Sequence, residues 1–268
     1  MGFFSGKVVL ITGASSGIGK ATALALAQQG ATVGLMARRR EELEMVASQM
    51  GGKGIVLVAD VTDESGVQHK IKELVGITGG LDILVAAAGI SLRAPFAETT
   101  TATIRRVMEV NYMGTIHVTK AALPHIKERK GSLVAVSSLT GRQATPEYSV
   151  YGSTKFAIQG LFDSLRMEML RDGVHVGVFS PGFVDTPLRY SVLMGNGLVH
   201  ETPPVPPLRL WPVETCVKKI LRMIRKRKKV ATLPGFVRYL FALNDLILPG
   251  WVGDFFLRYK FGYLRRNR

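Results

Sequence analysis

The chain has 268 residues, of which 47% are hydrophobic and 21% are charged, and this balance excludes a chain that is disordered throughout. Its length suits one large domain, and its single cysteine, Cys216, excludes an internal disulfide. The formal net charge is +15, and residues 209–268 hold +12 of it, with fifteen Lys and Arg against three acidic residues. The basic character therefore belongs to the C-terminal segment.

The N-terminal residues lack the pattern of a signal peptide. The apolar stretch at residues 8–11 leads directly into a glycine loop, and no small-residue cleavage site follows it. A single cysteine also suits a reducing compartment. We therefore expect the protein in the cytoplasm or at the cytoplasmic face of a membrane.

Short apolar runs alternate with helical stretches along most of the chain. Strands are predicted at residues 7–12, 31–36, 54–59, 81–86, 132–137, 174–179 and 230–233, and helices at residues 17–29, 40–50 and 213–229. This alternation predicts an α/β fold: a doubly wound parallel sheet of the Rossmann type, with helices on both faces and right-handed crossovers. Residues 187–212 are rich in proline and predict a long irregular loop. We expect one dinucleotide-binding and catalytic domain at residues 1–233, followed by a basic and aromatic extension at residues 234–268.

The first predicted strand ends in a glycine-rich loop, which reads TGASSGIG at residues 12–19. Gly13, Gly17 and Gly19 allow a tight turn and a close approach of the backbone to a pyrophosphate. The helix that follows directs its free N–H groups at the same anion. A glycine-rich turn without a ligand is the alternative, but the strand before the loop and the helix after it favour a dinucleotide site.

The end of the second predicted strand indicates which cofactor is bound. NAD-binding domains often place an acidic residue here for the ribose 2′-hydroxyl, whereas an arginine accommodates a 2′-phosphate. This chain has Arg38 and Arg39 at that point and no acidic residue. Arginine binds phosphate through two parallel hydrogen bonds, so the sequence predicts NADP(H) rather than NAD(H). The alternative is that both arginines form only a solvated start of the second helix.

Tyr151 and Lys155 are four residues apart and would share one face of a helix. A free phenol has a pKa near 10, and a neighbouring cation is expected to lower the pKa of Tyr151 toward the working range. Ser138 ends a predicted strand thirteen residues earlier, where its hydroxyl could hold a substrate oxygen. A tyrosine and lysine at this spacing also occur by chance, so this motif alone does not establish a function. The histidines lack ligand spacing and no cysteine cluster exists, so no metal site is predicted.

Together these motifs resemble those of the short-chain dehydrogenase/reductase family, from about residue 7 to residue 186. The resemblance rests on the glycine loop, Asp60-Val61 after the third strand, Asn111, Ser138, Tyr151-x-x-x-Lys155 and the sequence PGFVDT at residues 181–186. The motifs occur in the order and at the spacings that are typical of the family.

The resemblance implies a role for each of these residues. Tyr151 would be the acid/base, Ser138 would orient the carbonyl, Asn111 would hold a water in a proton relay, and Lys155 would bind the nicotinamide ribose. The implied cofactor contacts are Gly13, Ser15, Ser16, Gly17, Ile18, Gly19, Arg38, Arg39, Asp60, Val61, Ala88, Gly89, Asn111, Tyr151, Lys155, Pro181, Gly182, Val184 and Thr186. Asp60 and Val61 would lie at the adenine, and Val184 and Thr186 at the nicotinamide carboxamide. A homo-oligomer is also implied.

Two positions depart from the family pattern. The family has Asn-Asn-Ala-Gly after the fourth strand, where this chain has Ala86-Ala87-Ala88-Gly89. The missing asparagine is mainly a structural tie, so its loss puts local stability in question. NADP-preferring members often have a basic residue where this chain has Ser16, which leaves Arg38 and Arg39 to select the cofactor.

The C-terminal extension combines nine aromatic residues between residues 236 and 263 with interleaved arginines and lysines. Charged residues interrupt every apolar run, so the extension is not a plain transmembrane helix. Peripheral membrane association, a substrate lid or subunit contact, and nucleic-acid binding are the three alternatives, and the last is the least favoured.

The sequence thus predicts an NADP(H)-dependent oxidoreductase, a carbonyl reductase or alcohol dehydrogenase. Its substrate would be a hydrophobic ketone, aldehyde or alcohol, with Tyr151 as the acid/base. The alternative is a catalytically silent NADP-binding scaffold at a membrane, which the intact Asn111, Ser138, Tyr151 and Lys155 disfavour.

Overall fold

The structure, a computed structural model, describes residues 2–201 and 210–235. Within them, seven parallel strands form one sheet in the order β3-β2-β1-β4-β5-β6-β7. The strands are β1 (Val8–Thr12), β2 (Thr32–Ala37), β3 (Gly54–Val58), β4 (Ile83–Ala86), β5 (Ser132–Val136), β6 (His175–Pro181) and β7 (Val230–Leu233). The helices are α1 (Gly17–Gln28), α2 (Arg40–Ser48), α3 (Glu64–Thr78), α4 (Thr101–Met108), α5 (Gly114–Glu128), α6 (Ser149–Glu168) and α7 (Val213–Arg225). The predicted doubly wound α/β fold is confirmed.

Helices cover both faces of the sheet because the strands are apolar on both sides. In β1, Val9 and Ile11 belong to one buried cluster and Val8 and Leu10 to the other, as the two-residue period of a strand requires. The first cluster includes residues of α1, α2 and α7, and the second includes residues of α3, α5 and α6. Each apolar cluster lies between the sheet and one layer of helices.

The strand order reverses between β1 and β4, because β2 and β3 lie on one side of β1 and the later strands lie on the other. In open α/β sheets, ligands bind beyond the carboxyl ends of the strands at this reversal. The loops after β1, β4, β5 and β6 meet there.

Several boundaries differ from the sequence prediction. α7 ends at Arg225 rather than near residue 229, because Arg227 adopts a left-handed φ of +48° and ends the helix before β7. β6 continues to Pro181, two residues beyond the prediction. The predicted irregular loop contains a short 3₁₀ helix, Pro187–Ser191, and Leu193 bridges to Leu92 and Val199. Residues 202–209 and 236–268 lie outside the described residues, so the predicted boundary at residue 233 stays a prediction.

No helix within residues 2–201 and 210–235 is long and apolar enough to cross a bilayer.

Candidate active site

The glycine-rich loop between β1 and α1 packs against the loop that follows β4. Gly13 has a φ of +67°, and an added Cβ would lie 3.0 Å from the backbone of Ala87 and Ala88. Gly17 has a φ of +54°, and a Cβ there would lie 3.3 Å from Cβ of Thr186. Glycine adopts these angles without steric cost, so the loop can approach its neighbours backbone to backbone. Gly17 and Thr186, two of the predicted cofactor contacts, therefore lie together.

The loop after β4 is held without the asparagine that the family pattern places there. Thr12 Oγ1 accepts hydrogen bonds from the backbone N–H groups of Ala87 and Ala88, both at 3.1 Å. Asn111 Oδ1 accepts a hydrogen bond from the N–H of Ile90 at 2.8 Å, and its Nδ2 donates to the carbonyl of Ile90 at 3.0 Å. Hydrogen bonds with Thr12 and Asn111 thus hold the loop after β4 in place, although this chain lacks the asparagine of the family pattern.

Arg38 and Arg39 both lie at the carboxyl end of β2, beside the glycine loop. Arg39 Nη2 donates to Ser15 Oγ at 2.9 Å, and its Nη1 lies 3.3 Å from Glu42. Arg38 Nη1 lies 3.6 Å from Asp60 Oδ2, and 64% of the Arg38 side chain is exposed. The two guanidinium groups thus lie beside the glycine loop, and Asp60 lies next to one of them.

Two residues of α5 contact Val61, the second predicted adenine contact, and hold it in place. His117 Nδ1 lies 2.9 Å from the carbonyl oxygen of Val61. An added Cβ at Gly114 would lie 2.6 Å from Val61 Cγ2, so α5 reaches Val61 only because residue 114 lacks a side chain. Neither His117 nor Gly114 was predicted from the sequence.

Ser138, Tyr151 and Lys155 come together where β5 meets α6. Ser138 follows β5, and its hydroxyl acts on the phenol of Tyr151 of α6, whose pKa it lowers. Lys155 is 4% exposed, and its Nζ lies 5.6 Å from the centre of the Tyr151 ring. Lys155 Nζ donates to the carbonyl of Val136 at 3.2 Å, which ties the lysine to β5. Gly89 lies above this group, with an added Cβ 3.6 Å from Lys155 Nζ.

The pKa of Tyr151 moves in the direction opposite to the one we expected from the sequence. Burial raises it to about 12, although the hydrogen bond with Ser138 lowers it. Burial also lowers the pKa of Lys155 from 10.5 to about 8, because it disfavours the charged ammonium. The expected effect of the lysine on the phenol is therefore outweighed by desolvation of both groups. In this arrangement Tyr151 is a protonated phenol at neutral pH, which suits a proton donor.

Asn111 joins the helix that carries Tyr151 and Lys155 to the loop after β4. It is fully buried in a π-helical turn, Glu109–Met113, between α4 and α5. Its Nδ2 also donates to Thr154 Oγ1 at 3.2 Å, and Thr154 Oγ1 donates to the carbonyl of Tyr151 at 2.7 Å. The side chain of Asn111 thus has protein partners, and its predicted role in holding a water stays a prediction. Sequence reasoning missed Thr154, which the helical spacing from Tyr151 could have indicated.

A second group that the sequence did not reveal stands before α6. Arg93 Nε lies 2.7 Å from Glu147 Oε2, and both side chains are partly buried. Glu147 adopts a left-handed φ of +65°, and its carbonyl accepts a hydrogen bond from Ala94 N–H at 2.9 Å. The next residue, Tyr148, packs edge-on against Tyr151 with ring centres 6.3 Å apart. Nothing in the sequence pattern links Arg93 with Glu147, which are 54 residues apart.

The wall around Tyr151 is apolar. Tyr151 packs against a buried cluster that contains Leu92, Val150 and Leu193, with Ile90 also packed against it. Leu193 N–H donates to the carbonyl of Ser91 at 2.9 Å, and Arg93 N–H donates to the carbonyl of Leu193 at 3.0 Å. The segment after β6 is therefore joined to the loop after β4 by backbone hydrogen bonds.

The PGFVDT segment continues from β6 along the same edge. Gly182 N–H donates to the carbonyl of Leu233 at 2.8 Å, which joins the segment to β7. Val184 bridges to Trp211 in parallel, so the segment is paired on that side as well. Pro181, Gly182, Val184 and Thr186 therefore follow one fixed path that ends beside Gly17. Within the described residues, no group of three or more His, Cys, Asp or Glu side chains could hold a metal ion.

The family model described as short chain dehydrogenase matches residues 7–195 of this chain. A curated relative from Anopheles gambiae, named dehydrogenase/reductase SDR family protein 7-like, is 40% identical over 202 residues; the match covers 72% of this chain and 64% of that protein, less than two thirds of its length. A relative from Arabidopsis thaliana, named 11-beta-hydroxysteroid dehydrogenase-like 2, is 32% identical over 270 residues, covering 97% of this chain and 84% of that protein.

Solved structures share the fold. An alcohol dehydrogenase from the archaeon Thermococcus sibiricus, complexed with 5-hydroxy-NADP, superposes with a TM-score of 0.73 at 27% identity; the match covers 84% of this chain and 95% of that one. A dehydrogenase/reductase from Sinorhizobium meliloti 1021 superposes with a TM-score of 0.66 at 34% identity, over 69% of this chain and 75% of that one.

Proposed function

The chain belongs to the short-chain dehydrogenase family of oxidoreductases, and on that premise we propose that it is an NADP(H)-dependent reductase of hydrophobic ketones and aldehydes, or a dehydrogenase of the matching alcohols. The observation that carries the proposal is the convergence of Tyr151, Ser138 and Lys155 beside the glycine loop, at the carboxyl edge of the sheet. This arrangement supports a proton donor next to a dinucleotide site.

The residues of the site fit a nicotinamide dinucleotide. Gly13 and Gly17 let the loop pack closely against Ala88 and Thr186, and α1 begins directly behind them, so its free N–H groups could bind the pyrophosphate. When bound, the cofactor supplies a hydride. Lys155 Nζ lies 5.6 Å from the centre of the Tyr151 ring and would lie 3.6 Å from a Cβ on Gly89, and it could donate to ribose hydroxyls of the cofactor.

In the proposed reduction, Tyr151 donates its phenolic proton to the substrate oxygen as that oxygen gains negative charge. The Ser138 hydroxyl holds the same oxygen and orients the carbonyl. The ammonium of Lys155 stabilises the phenolate that remains on Tyr151, and a proton from solvent then restores the phenol. In the oxidation direction the same groups act in reverse, with Tyr151 accepting the alcohol proton.

The preference for NADP(H) is supported by two arginines at the end of β2. Arg39 is already placed against Ser15 of the glycine loop, and Arg38 remains largely exposed beside Asp60. A 2′-phosphate would satisfy both charges, whereas a 2′-hydroxyl would not. The archaeal structure in complex with 5-hydroxy-NADP is consistent with this preference.

An apolar substrate is supported by the wall of Ile90, Leu92, Val150 and Leu193 around Tyr151. The Arabidopsis relative carries the name of a hydroxysteroid dehydrogenase-like protein, and a steroid is one apolar ketone of suitable class. The homo-oligomer, the cytoplasmic location and the membrane association of residues 236–268 stay predictions, and that last segment lies outside the described residues.

The test is to incubate the full chain with NADPH and a panel of apolar ketones and aldehydes. Oxidation of NADPH is measured as the loss of absorbance at the nicotinamide band. We expect turnover with at least one bulky apolar carbonyl, and faster turnover with NADPH than with NADH. A protein that binds NADPH but shows no turnover with any carbonyl or alcohol of the panel would instead be the silent scaffold.

A further inference from the structure

Three turns at the amino edge of the sheet, opposite to the candidate active site, bring basic side chains together. They are the turns that lead from α5 into β5, from α6 into β6 and from α7 into β7, which are neighbouring strands. Neighbouring strands lie about 4.8 Å apart, so the three turns fall within roughly 10 Å of each other. Their exposed basic residues are Arg129, Lys130, Arg171 and residues 225–229, which read RKRKK, and we refer to this surface as the basic edge.

The backbone of the basic edge is held in place by hydrogen bonds between the turns. Arg227 donates through Nη1 to the carbonyl of Lys130 at 3.3 Å and through Nη2 to the carbonyl of Gly173. His175 Nε2 lies 3.0 Å from the carbonyl of Lys228. Arg227 thus links its own turn to both neighbouring turns by hydrogen bonds. The backbone that carries the exposed lysines is therefore held in place.

Acidic residues neutralise only part of this surface. Glu128, Glu168 and Asp172 lie on or next to the same turns, and Asp172 is paired with Lys127 at 3.0 Å. Within residues 2–201 and 210–235, residues 225–229 take part in no ion pair. Adjacent turns, about 4.8 Å apart, lie within the Debye length of about 8 Å at physiological salt, so an anionic surface attracts several of these cations at once.

An exposed leucine stands among these cations. Leu170, in the turn from α6 to β6, is 62% exposed, and Met167 in the last turn of α6 is 64% exposed. Cationic side chains around protruding apolar ones match a bilayer interface, where the former meet headgroups and the latter enter the acyl boundary. A DNA duplex would bind the same cations through its phosphates, but it has no apolar phase for exposed leucine and methionine side chains to enter.

We propose that the basic edge docks onto the surface of an anionic phospholipid bilayer. The lysines of residues 226–229 meet the lipid phosphates, and Leu170 enters the interface beside them. The active site, at the opposite edge, then faces away from the bilayer, about the length of a strand from it. The basic edge lies wholly within the described residues, and its docking requires neither the proposed reaction nor residues 236–268.

The test uses the full chain and sedimentation with vesicles of phosphatidylcholine, with or without about one third phosphatidylglycerol. Removing one lysine near an anionic bilayer lowers affinity by up to about fivefold. A variant with Lys226→Gln, Lys228→Gln and Lys229→Gln is expected to bind the anionic vesicles about ten- to a hundredfold more weakly. Its matched control removes the same charge from exposed lysines elsewhere, with Lys72→Gln, Lys120→Gln and Lys218→Gln, and should stay within about threefold of wild type.

Two further arms separate the sources of binding. Leu170→Ser should weaken vesicle binding severalfold at high salt, where the charges are screened, and should leave binding to a short DNA duplex unchanged. NADPH oxidation should be equal in all variants, because none of these residues lies near Tyr151, so loss of the reaction and loss of docking are distinguishable. Equal vesicle affinity of the edge variant and its control would overturn the proposal. So would edge-dependent binding to the duplex without binding to the vesicles.

Discussion

The two sides of the carboxyl edge are built in different ways. On the cofactor side, around β1 and β2, the backbone sets the geometry, and the charged groups stay in solvent: the side chains of Arg38 and Asp60 are 64% and 37% exposed. On the catalytic side, around β5 and α6, Lys155 and Asn111 are 4% and 0% exposed and are placed by side-chain hydrogen bonds. We therefore expect removal of a single atom on the catalytic side to remove most of the turnover. Removal of one charged group on the cofactor side should lower the affinity for the cofactor without abolishing binding.

The largest effect is expected at Tyr151. Tyr151→Phe removes the phenolic proton and keeps the ring, so turnover should fall by at least about a hundredfold, as for loss of a general acid. The affinity for NADPH, measured by quenching of protein fluorescence, should stay within a few-fold, because most predicted cofactor contacts lie elsewhere. Turnover above a tenth of wild type would remove Tyr151 from the proposed role.

On the cofactor side, Arg38→Ala should weaken NADPH far more than NADH. Loss of one charged contact with phosphate costs roughly 1.5–3 kcal/mol, or about ten- to a hundredfold in Kd. Arg40→Ala is the matched control, because Arg40 is equally exposed and pairs with Glu44 on the outside of α2. Equal losses for NADPH and NADH in Arg38→Ala would show that this guanidinium does not recognise the phosphate.

Thr154 provides a smaller test of the catalytic side. Thr154→Val keeps the shape but removes the hydroxyl that accepts from Asn111 and donates to the carbonyl of Tyr151. An unsatisfied buried donor costs about 1–3 kcal/mol, so we expect kcat to fall about tenfold, with little change in the Kd for NADPH. Thr154→Ser restores the hydroxyl and should restore kcat. Equal kcat values for the Val and Ser variants would show that the hydroxyl does not position Tyr151.

The smallest effect concerns the free energy of unfolding, which we expect to increase when Lys155 is replaced. Burial lowers the pKa of Lys155 to about 8 in the folded protein, whereas the unfolded lysine titrates near 10.5. Between these values the unfolded chain binds more protons, so the free energy of unfolding contributed by Lys155 rises with pH. Below pH 8 the full penalty of about 3 kcal/mol opposes folding.

Lys155→Met removes that penalty and also the hydrogen bond to Val136, whose loss costs about 1–2 kcal/mol. The ligand-free variant should therefore be more stable than wild type by about 1 kcal/mol at pH 7, while its turnover is lost. Urea unfolding measures this gain, which should disappear by pH 10.5, and Lys72→Met on the exposed face of α3 should change little. A variant less stable than wild type at pH 7 would contradict the shifted pKa of Lys155.

Features that follow local sequence patterns can be predicted from the sequence, whereas contacts between distant segments and the burial of side chains cannot. The strands, the glycine loop and the positions of Ser138, Tyr151 and Lys155 follow local patterns, namely apolar periodicity and residue spacing. The pair of Arg93 and Glu147 and the contact of His117 with Val61 join segments more than 50 residues apart, which no local pattern indicates. The pKa of Tyr151 was predicted with the wrong sign, because the spacing to Lys155 shows a charge but not the burial of both groups.

Whether the protein transfers a hydride from NADPH to a ketone can be measured directly by following deuterium from the cofactor to the product. The full chain is incubated with an apolar ketone that it turns over and with NADPH deuterated at the transferred position of C4, in ordinary water. With the wild-type protein, we expect mass spectrometry to find one deuterium on the carbinol carbon of the alcohol, and with Tyr151→Phe we expect almost no product. Product alcohol without deuterium, or equal product from the Tyr151→Phe variant, would contradict the proposed reaction.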